Sequence, residues 1–390
     1  MHENHKVHFI LIFLLVSFNL RMSFSAADPL LVFLMRDLGL SVDGSGLFGL
    51  LPIISLGAAA PLGARLAEYI HPRRLIIYAL LTAIAGVVWR SCGNIAGLYG
   101  GTIAIGLGLG ITGSVILGIV KQEFTDNLPQ LMGAYTACVS LGTAVGSGSS
   151  TPVALALGGW QQGLLFWAIP LLIATLLWAE LIFFSPEQRR EQHAVHAPIL
   201  PLLRQQKAWD VSLFYLFRVA GAWLLIVWLA TLMRRRGLPM VEAGLVLALS
   251  TTFQIPASLL SAHMTKWLGG RGALMAVAIL LSISSCWCLL LAPLKLWPLF
   301  SILLGLSLGS IFALGMTLIV ENAANEGSTV ALSGMAQGLG FIGGGLLAWA
   351  ASPAMQTNHP DLWVAAIYSA FALCGLVFGL RCNSGATCRV

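Results

Sequence analysis

Charge is what this chain has least of. Only 9% of its 390 residues are Asp, Glu, Lys or Arg, against 58% hydrophobic, where soluble domains carry about 25% charged residues. So little polar surface cannot coat a water-soluble globule of this length, and an integral membrane protein is expected. The seven cysteines form no paired CxxC units, which argues against both a zinc ribbon and a disulfide framework. No GxxxxGK[ST] stretch occurs, so nothing supports ATP-driven work by this chain alone. None of the eight histidines is clearly placed mid-span. GSGSST (146–151) superficially imitates a nucleophile among glycines, but without a buried base it reads as a packing face rather than an intramembrane enzyme. The net charge of +6 is scattered between apolar runs, which suits orientation in a bilayer better than binding to nucleic acid. No cofactor and no metal are expected.

What the chain has is long apolar runs. Crossing about 30 Å of hydrocarbon takes about 20 helical residues. Twelve such stretches can be drawn, at 7–34, 46–64, 75–92, 95–120, 131–157, 163–184, 211–233, 243–262, 273–292, 296–320, 331–351 and 362–380. They are continuously apolar and do not alternate, which predicts helices rather than a barrel. Lys6, the first run and SFSAAD resemble a secretory leader, but the apolar character resumes at 29–34 and many spans follow, so a retained helix is expected. The third span is the weakest, and Arg90 within it is expected to snorkel outward. With the N-terminus placed in the cytoplasm, 13 of the 21 Lys and Arg fall inside, six outside and two, Arg21 and Arg218, within spans. That excess predicts both termini inside. The only long polar connection is SPEQRREQHAVHAPILPLLRQQKAWD (185–210), a cytoplasmic linker between six spans (1–184) and six more (211–390).

The two halves look like copies. Arg21 and Arg218 are 197 positions apart, Pro61 and Pro256 195, and Gly133 and Gly334 201; glycine-rich stretches fill both the fourth and tenth spans. An even number of spans per copy makes the copies parallel. The expected fold is therefore an all-α membrane protein of twelve transmembrane helices in two parallel six-helix bundles that rock about a central site.

The six-plus-six pattern, the linker and the turn GARLAEYIHPRRL (63–75) resemble the major facilitator superfamily. That turn keeps Gly63, an acid at Glu68 and the pair Arg73 and Arg74, but the acid is displaced by one place and a glycine is missing. NLRMSFSAADPLL (19–31), GLGITGSVILGIVKQEF (108–124), LMGAY (131–135) and GMAQGLGFIGGGL (334–346) further resemble the cyanate and nitroimidazole transporter family. The resemblance implies a monomeric secondary transporter of the inner membrane, moving a small anionic or planar polar solute and drawing on protons. It also implies a cytoplasmic gate at Gly63, Glu68, Arg73 and Arg74. Drug efflux by proton antiport is the alternative, favoured by a wide apolar cavity and a mid-span acid.

A charge at mid-span costs about 2.5–3.5 kcal/mol on insertion scales and therefore faces a polar cavity or a partner. Arg21 is the principal candidate: its planar fork of donors suits an anion, and the family resemblance places an arginine after Asn19-x. Pairing to carbonyls or to Asp28 is the structural alternative. Asp28, where the family has a small residue, is either a proton-coupling site or a helix-end acid. Arg218, a second departure from the family, either forms the other wall of the cavity or snorkels. Among neutral residues Gln337, in a segment that resembles the family's eleventh span, is the leading candidate for bonding a small polar solute; Asn19, Gln254, Thr112 and Ser114 are further candidates, the last three able instead to bond the preceding turn of their own helices. Trp223 and Trp228 offer faces for a planar solute or for packing.

Overall fold

The computed structural model describes residues 3–40, 42–124, 127–183, 197–382 and 387–388; the first part of the expected linker, 185–196, lies outside them. The helices are α1 (Glu3–Ser25), α2 (Leu31–Leu38), α3 (Val42–Ala67), α4 (Pro72–Arg90), α5 (Ile95–Glu123), α6 (Leu128–Ala156), α7 (Trp160–Phe166), α8 (Ala168–Phe183), α9 (Gln206–Arg235), α10 (Met240–Trp267), α11 (Arg271–Leu291), α12 (Trp297–Glu321), α13 (Glu326–Ala350) and α14 (Pro360–Arg381). Every stretch expected to span is helical. Among the described residues, eleven helical segments are long and apolar enough to cross a membrane; α6, diluted by Gly, Ser and Thr, is not one of them. Helix starts follow local chemistry: Pro72 and Pro360 stand first in α4 and α14, where the missing N–H costs nothing. The Asn94 and Asn325 side chains accept the N–H groups of Gly97 (2.6 Å) and Ser328 (2.8 Å), satisfying donors that no carbonyl reaches.

Two spans are not single rods. The first breaks after Ser25, passes through a 3₁₀ turn at Asp28–Leu30 and resumes as α2. Pro29 has no N–H to continue the ladder. The sixth is divided into α7 and α8 at Trp167.

Glycines set the close packing. A Cβ on Gly110 of α5 would lie 2.6 Å from Ala59 of α3, and one on Gly106 would collide with Ser55; Gly309 and Gly305 of α12 likewise accept the backbone of Gln254 and Ser250 of α10. Gly142 and Gly146 of α6 lie on the carbonyls of Phe18 and Met22 of α1, and Gly340 and Gly344 of α13 lie on Tyr215 and Val219 of α9. Each contact in the second set falls 195–199 residues after its counterpart in the first. Without a hydrophobic force between helices in lipid, such backbone proximity is what holds them.

Let the near end be the one carrying the start of α1. There a single apolar core runs from Phe9, Val120 and Trp178 to Phe214, Ile319 and Leu332, joining α1, α5 and α8 to α9, α12 and α13. At the far end the described apolar core is split. One cluster (Leu30, Leu34, Phe48, Leu98, Trp160) belongs to α2–α7; the other (Leu229, Val246, Leu290, Val364) belongs to α9–α14. The molecule is thus sealed at the near end and cleft at the far end.

Candidate functional site

The cleft leads to a cavity of about 130 Å³. Arg21 enters it from α1, and Val139, Ser140 and Thr143 from α6. Arg218, Trp223 and Ile226 come from α9, Ser250, Thr251 and Gln254 from α10, and Leu304, Leu308 and Phe312 from α12. Among the described residues no acid lines it. The Arg21 guanidinium stands 5.8 Å from the Trp223 ring and 5.7 Å from Phe341. That of Arg218 stands 4.2 Å over Phe312 and 4.8 Å over Tyr215, and its Nε is buried without a hydrogen-bond partner. Aromatic faces stabilise the cations without using up their N–H donors. The hydroxyls of Thr143, Ser250 and Thr251 donate to carbonyls, which leaves only their lone pairs for a solute. The two guanidinium forks supply the charged donors of the cavity, beside the neutral donors of Gln254, Trp223 and Ser140, and the field inside it is positive.

Arg21 is fixed by the way α1 ends. A helix terminating inside a bilayer leaves carbonyls that water cannot reach. Here Arg90 of α4 donates to Ser23 O at 2.8 Å, and the Ser150 hydroxyl of α6 donates to Ala26 O. GSGSST therefore lies against α1 and serves its broken end. Arg90 does not snorkel outward as the sequence suggested: it is fully buried, because its cation belongs at the carbonyl end of α1. Nothing in the local sequence around Arg90 reveals that partner, 67 residues away. Asp28 begins the 3₁₀ turn, is exposed, and lies within electrostatic reach of Arg90 and Arg21.

The other expected residues are dispersed. Gln254 joins the two arginines in the cavity; Asn19, Thr112 and Gln337 do not line it. Asn19 is buried and bonds Leu15 O (2.9 Å), and Thr112 bonds Gly108 O (2.9 Å). Gln337 reaches from α13 to Gly113 O of α5 (3.2 Å) and to Ser333 (2.7 Å), bracing the sealed region. Trp223 lines the cavity, whereas Trp228 packs in the far-end core.

At the near end Arg73 pairs with Glu123, and Trp178 Nε1 donates to Arg73 O at 3.0 Å. Arg271 pairs with Glu321, each partner 198 positions after its counterpart. Gly63 lets α3 meet Ser114 of α5. Glu68, just beyond α3, is half-buried, and Arg74 is exposed.

Comparison with known proteins agrees with this architecture. Residues 13–345 match the family model of the Major Facilitator Superfamily. The chain belongs to the major facilitator superfamily. It is a multi-pass protein of the inner membrane and a secondary transporter of small solutes; members of this superfamily are not enzymes. Among its relatives is the 2-nitroimidazole transporter of Escherichia coli (strain K12), 30% identical over 383 residues and covering 94% of each chain. Another is the cyanate transport protein CynX of the same organism, 26% identical over 341 residues and covering 87% of this chain and 88% of that one. The solved proton:xylose symporter XylE, of the same superfamily, shares the fold with a TM-score of 0.75 at 13% identity, covering 98% of this chain and 96% of the other.

Proposed function

We propose that this transporter carries a small anionic or planar polar solute, cyanate-like or nitroimidazole-like, by alternating access between two six-helix repeats, 1–184 and 211–390, joined by a cytoplasmic linker. The observation that carries the solute class is the pair Arg21 and Arg218 facing one cavity that no acid lines among the described residues. A cation deep in the membrane is retained where it has an anionic or polar partner, and two forks lining one cavity match a small delocalised anion. The rings of Trp223 and Phe312 add faces for a flat solute. The relatives named for 2-nitroimidazole and cyanate support this class. The repeated glycine contacts and the repeated Arg–Glu pairs support two copies of one unit. A sealed near end beside a cleft far end is one of the two end states that rocking requires. The excess of Lys and Arg at the near end supports cytoplasmic termini, so the cleft faces outward. Asp28, exposed beside the break in α1, is the proposed proton-coupling group. The test is uptake into proteoliposomes of labelled cyanate against a lipophilic cation. Transport of cyanate that Arg21→Ala abolishes supports the reading; transport of the cation instead, or wild-type cyanate flux in Arg21→Ala, overturns it.

A further inference from the structure

A second cavity, of about 110 Å³, opens at the near end, away from the central one. Its walls come from both halves: Pro129 and Gln130 at the start of α6, Ser261, Thr265 and Lys266 at the end of α10, Arg271 at the start of α11, and Thr317 on α12. We infer that this cavity is a binding site for a phosphate group, supplied by an anionic lipid headgroup or by free phosphate.

Four observations point the same way. Two cations, Lys266 and Arg271, line it, and among the described residues no acid does. Arg271 gives one guanidinium nitrogen to Glu321, and the rest of its fork remains for a second anion. The first residue of the 21-residue helix α11 is Arg271 itself, and no side chain caps that helix, so unsatisfied N–H groups add positive potential beside the two cations. Gln130 Oε1 is buried with no partner; the two ends of an amide interchange by a flip, which would turn its NH₂ toward an incoming phosphate oxygen. The Ser261, Thr265 and Thr317 hydroxyls already donate to helix carbonyls, so recognition rests on Lys266, Arg271 and Gln130.

The position suits a headgroup. Trp267, next to Lys266, is 91% exposed, and exposed tryptophans anchor at the membrane–water boundary. Basic pockets between membrane helices at that depth hold phospholipid headgroups. The cavity also spans the seam where α6 of one half meets α10 and α12 of the other, one helical turn from the close approach of Gly133 to Ser258. A phosphate bound there would tie the halves together and favour the sealed near end, whatever solute the central cavity carries.

Native mass spectrometry of the purified full chain tests this, with phosphatidylglycerol titrated against phosphatidylcholine in one arm and inorganic phosphate, read by thermal shift, in the other. Lys266→Gln should weaken retention of phosphatidylglycerol about fivefold, matching about 1 kcal/mol for one lysine near a charged surface, and Lys266→Arg should restore it. Loss of the lipid adduct in the variant identifies a headgroup as the source. A phosphate-dependent shift lost in the variant, without lipid preference, identifies the free anion. Equal binding of both ligands by wild type and Lys266→Gln overturns the inference.

Discussion

The seam between α6 and α10 gives the sharpest conformational prediction. Gly133 faces the Ser258 carbonyl so closely that a Cβ there would fall nearer than 3.0 Å to a backbone atom. Ser258 sits inside α10 and cannot retreat without moving the helix. Gly133→Ala therefore forces the near end apart. Overpacking of this kind costs typically 1–3 kcal/mol; at about 2 kcal/mol the sealed state loses roughly 30-fold, so a state favoured 100:1 falls to about 3:1. Gly113→Ala is the control, because its Cβ would meet Gln337 Oε1 at 3.6 Å and Leu20 Cδ1 at 4.0 Å, both ordinary contacts. Both variants gain the same helix propensity, about 1 kcal/mol, so the contrast isolates the seam. Spin labels at the exposed positions Asn127 and His263 report the separation of the α6 and α10 ends by pulsed electron resonance. Gly133→Ala should add a longer-distance population absent from wild type and from Gly113→Ala. Identical distributions in all three would refute the reading of this seam as a closed gate.

Other consequences follow from the burial of particular groups. Arg73 and Glu123 are nearly buried, their side chains 9% and 11% exposed, so Arg73→Ala strands a carboxylate at a cost of about 3–5 kcal/mol. Arg271 is 40% exposed, and losing its pair costs about 0–1 kcal/mol; thermal melts should rank Arg73→Ala well below Arg271→Ala, and equal Tm values would contradict this. Gln337→Leu should lower the melting temperature yet leave solute affinity within about twofold, whereas Gln254→Leu should weaken affinity about tenfold, the worth of one hydrogen bond to a charged group. Reversal of that order in a binding titration would move the site from α10 to α13. Asp28→Asn should flatten the pH dependence of transport; an unaltered pH profile would remove Asp28 from coupling.

Much of the fold was legible because bilayer crossing is a matter of length and hydropathy, and all twelve stretches proved helical. The breaks were less so. Pro29 can be seen in the sequence as a residue that cannot continue a helical ladder, but the partners that satisfy the broken end, Arg90 and Ser150, come from α4 and α6, and hydropathy does not pair helices. Arg90 shows the limit most clearly: its position near a span end suggested snorkelling, yet it is drawn inward by a carbonyl of α1. Of the candidate residues, Arg21 and Arg218 stood out because a charge within a span needs a reason. Gln337 led the neutral candidates on the resemblance of its segment, yet packing puts Gln254 on the cavity and leaves Gln337 bracing α13 against α5. Lys266, Gln130 and Arg271 converge from three helices, a grouping that no local motif announces.

The two-arginine cavity is tested most directly by equilibrium binding of cyanate to purified wild type, Arg21→Ala, Arg218→Ala and the double variant. Each single loss should weaken binding about 10–150-fold, from about 1.5–3 kcal/mol per charge-assisted bond. Arg21→Lys should recover only part of that, since it keeps the charge without the fork. Wild-type affinity in Arg21→Ala or in Arg218→Ala would contradict the central claim.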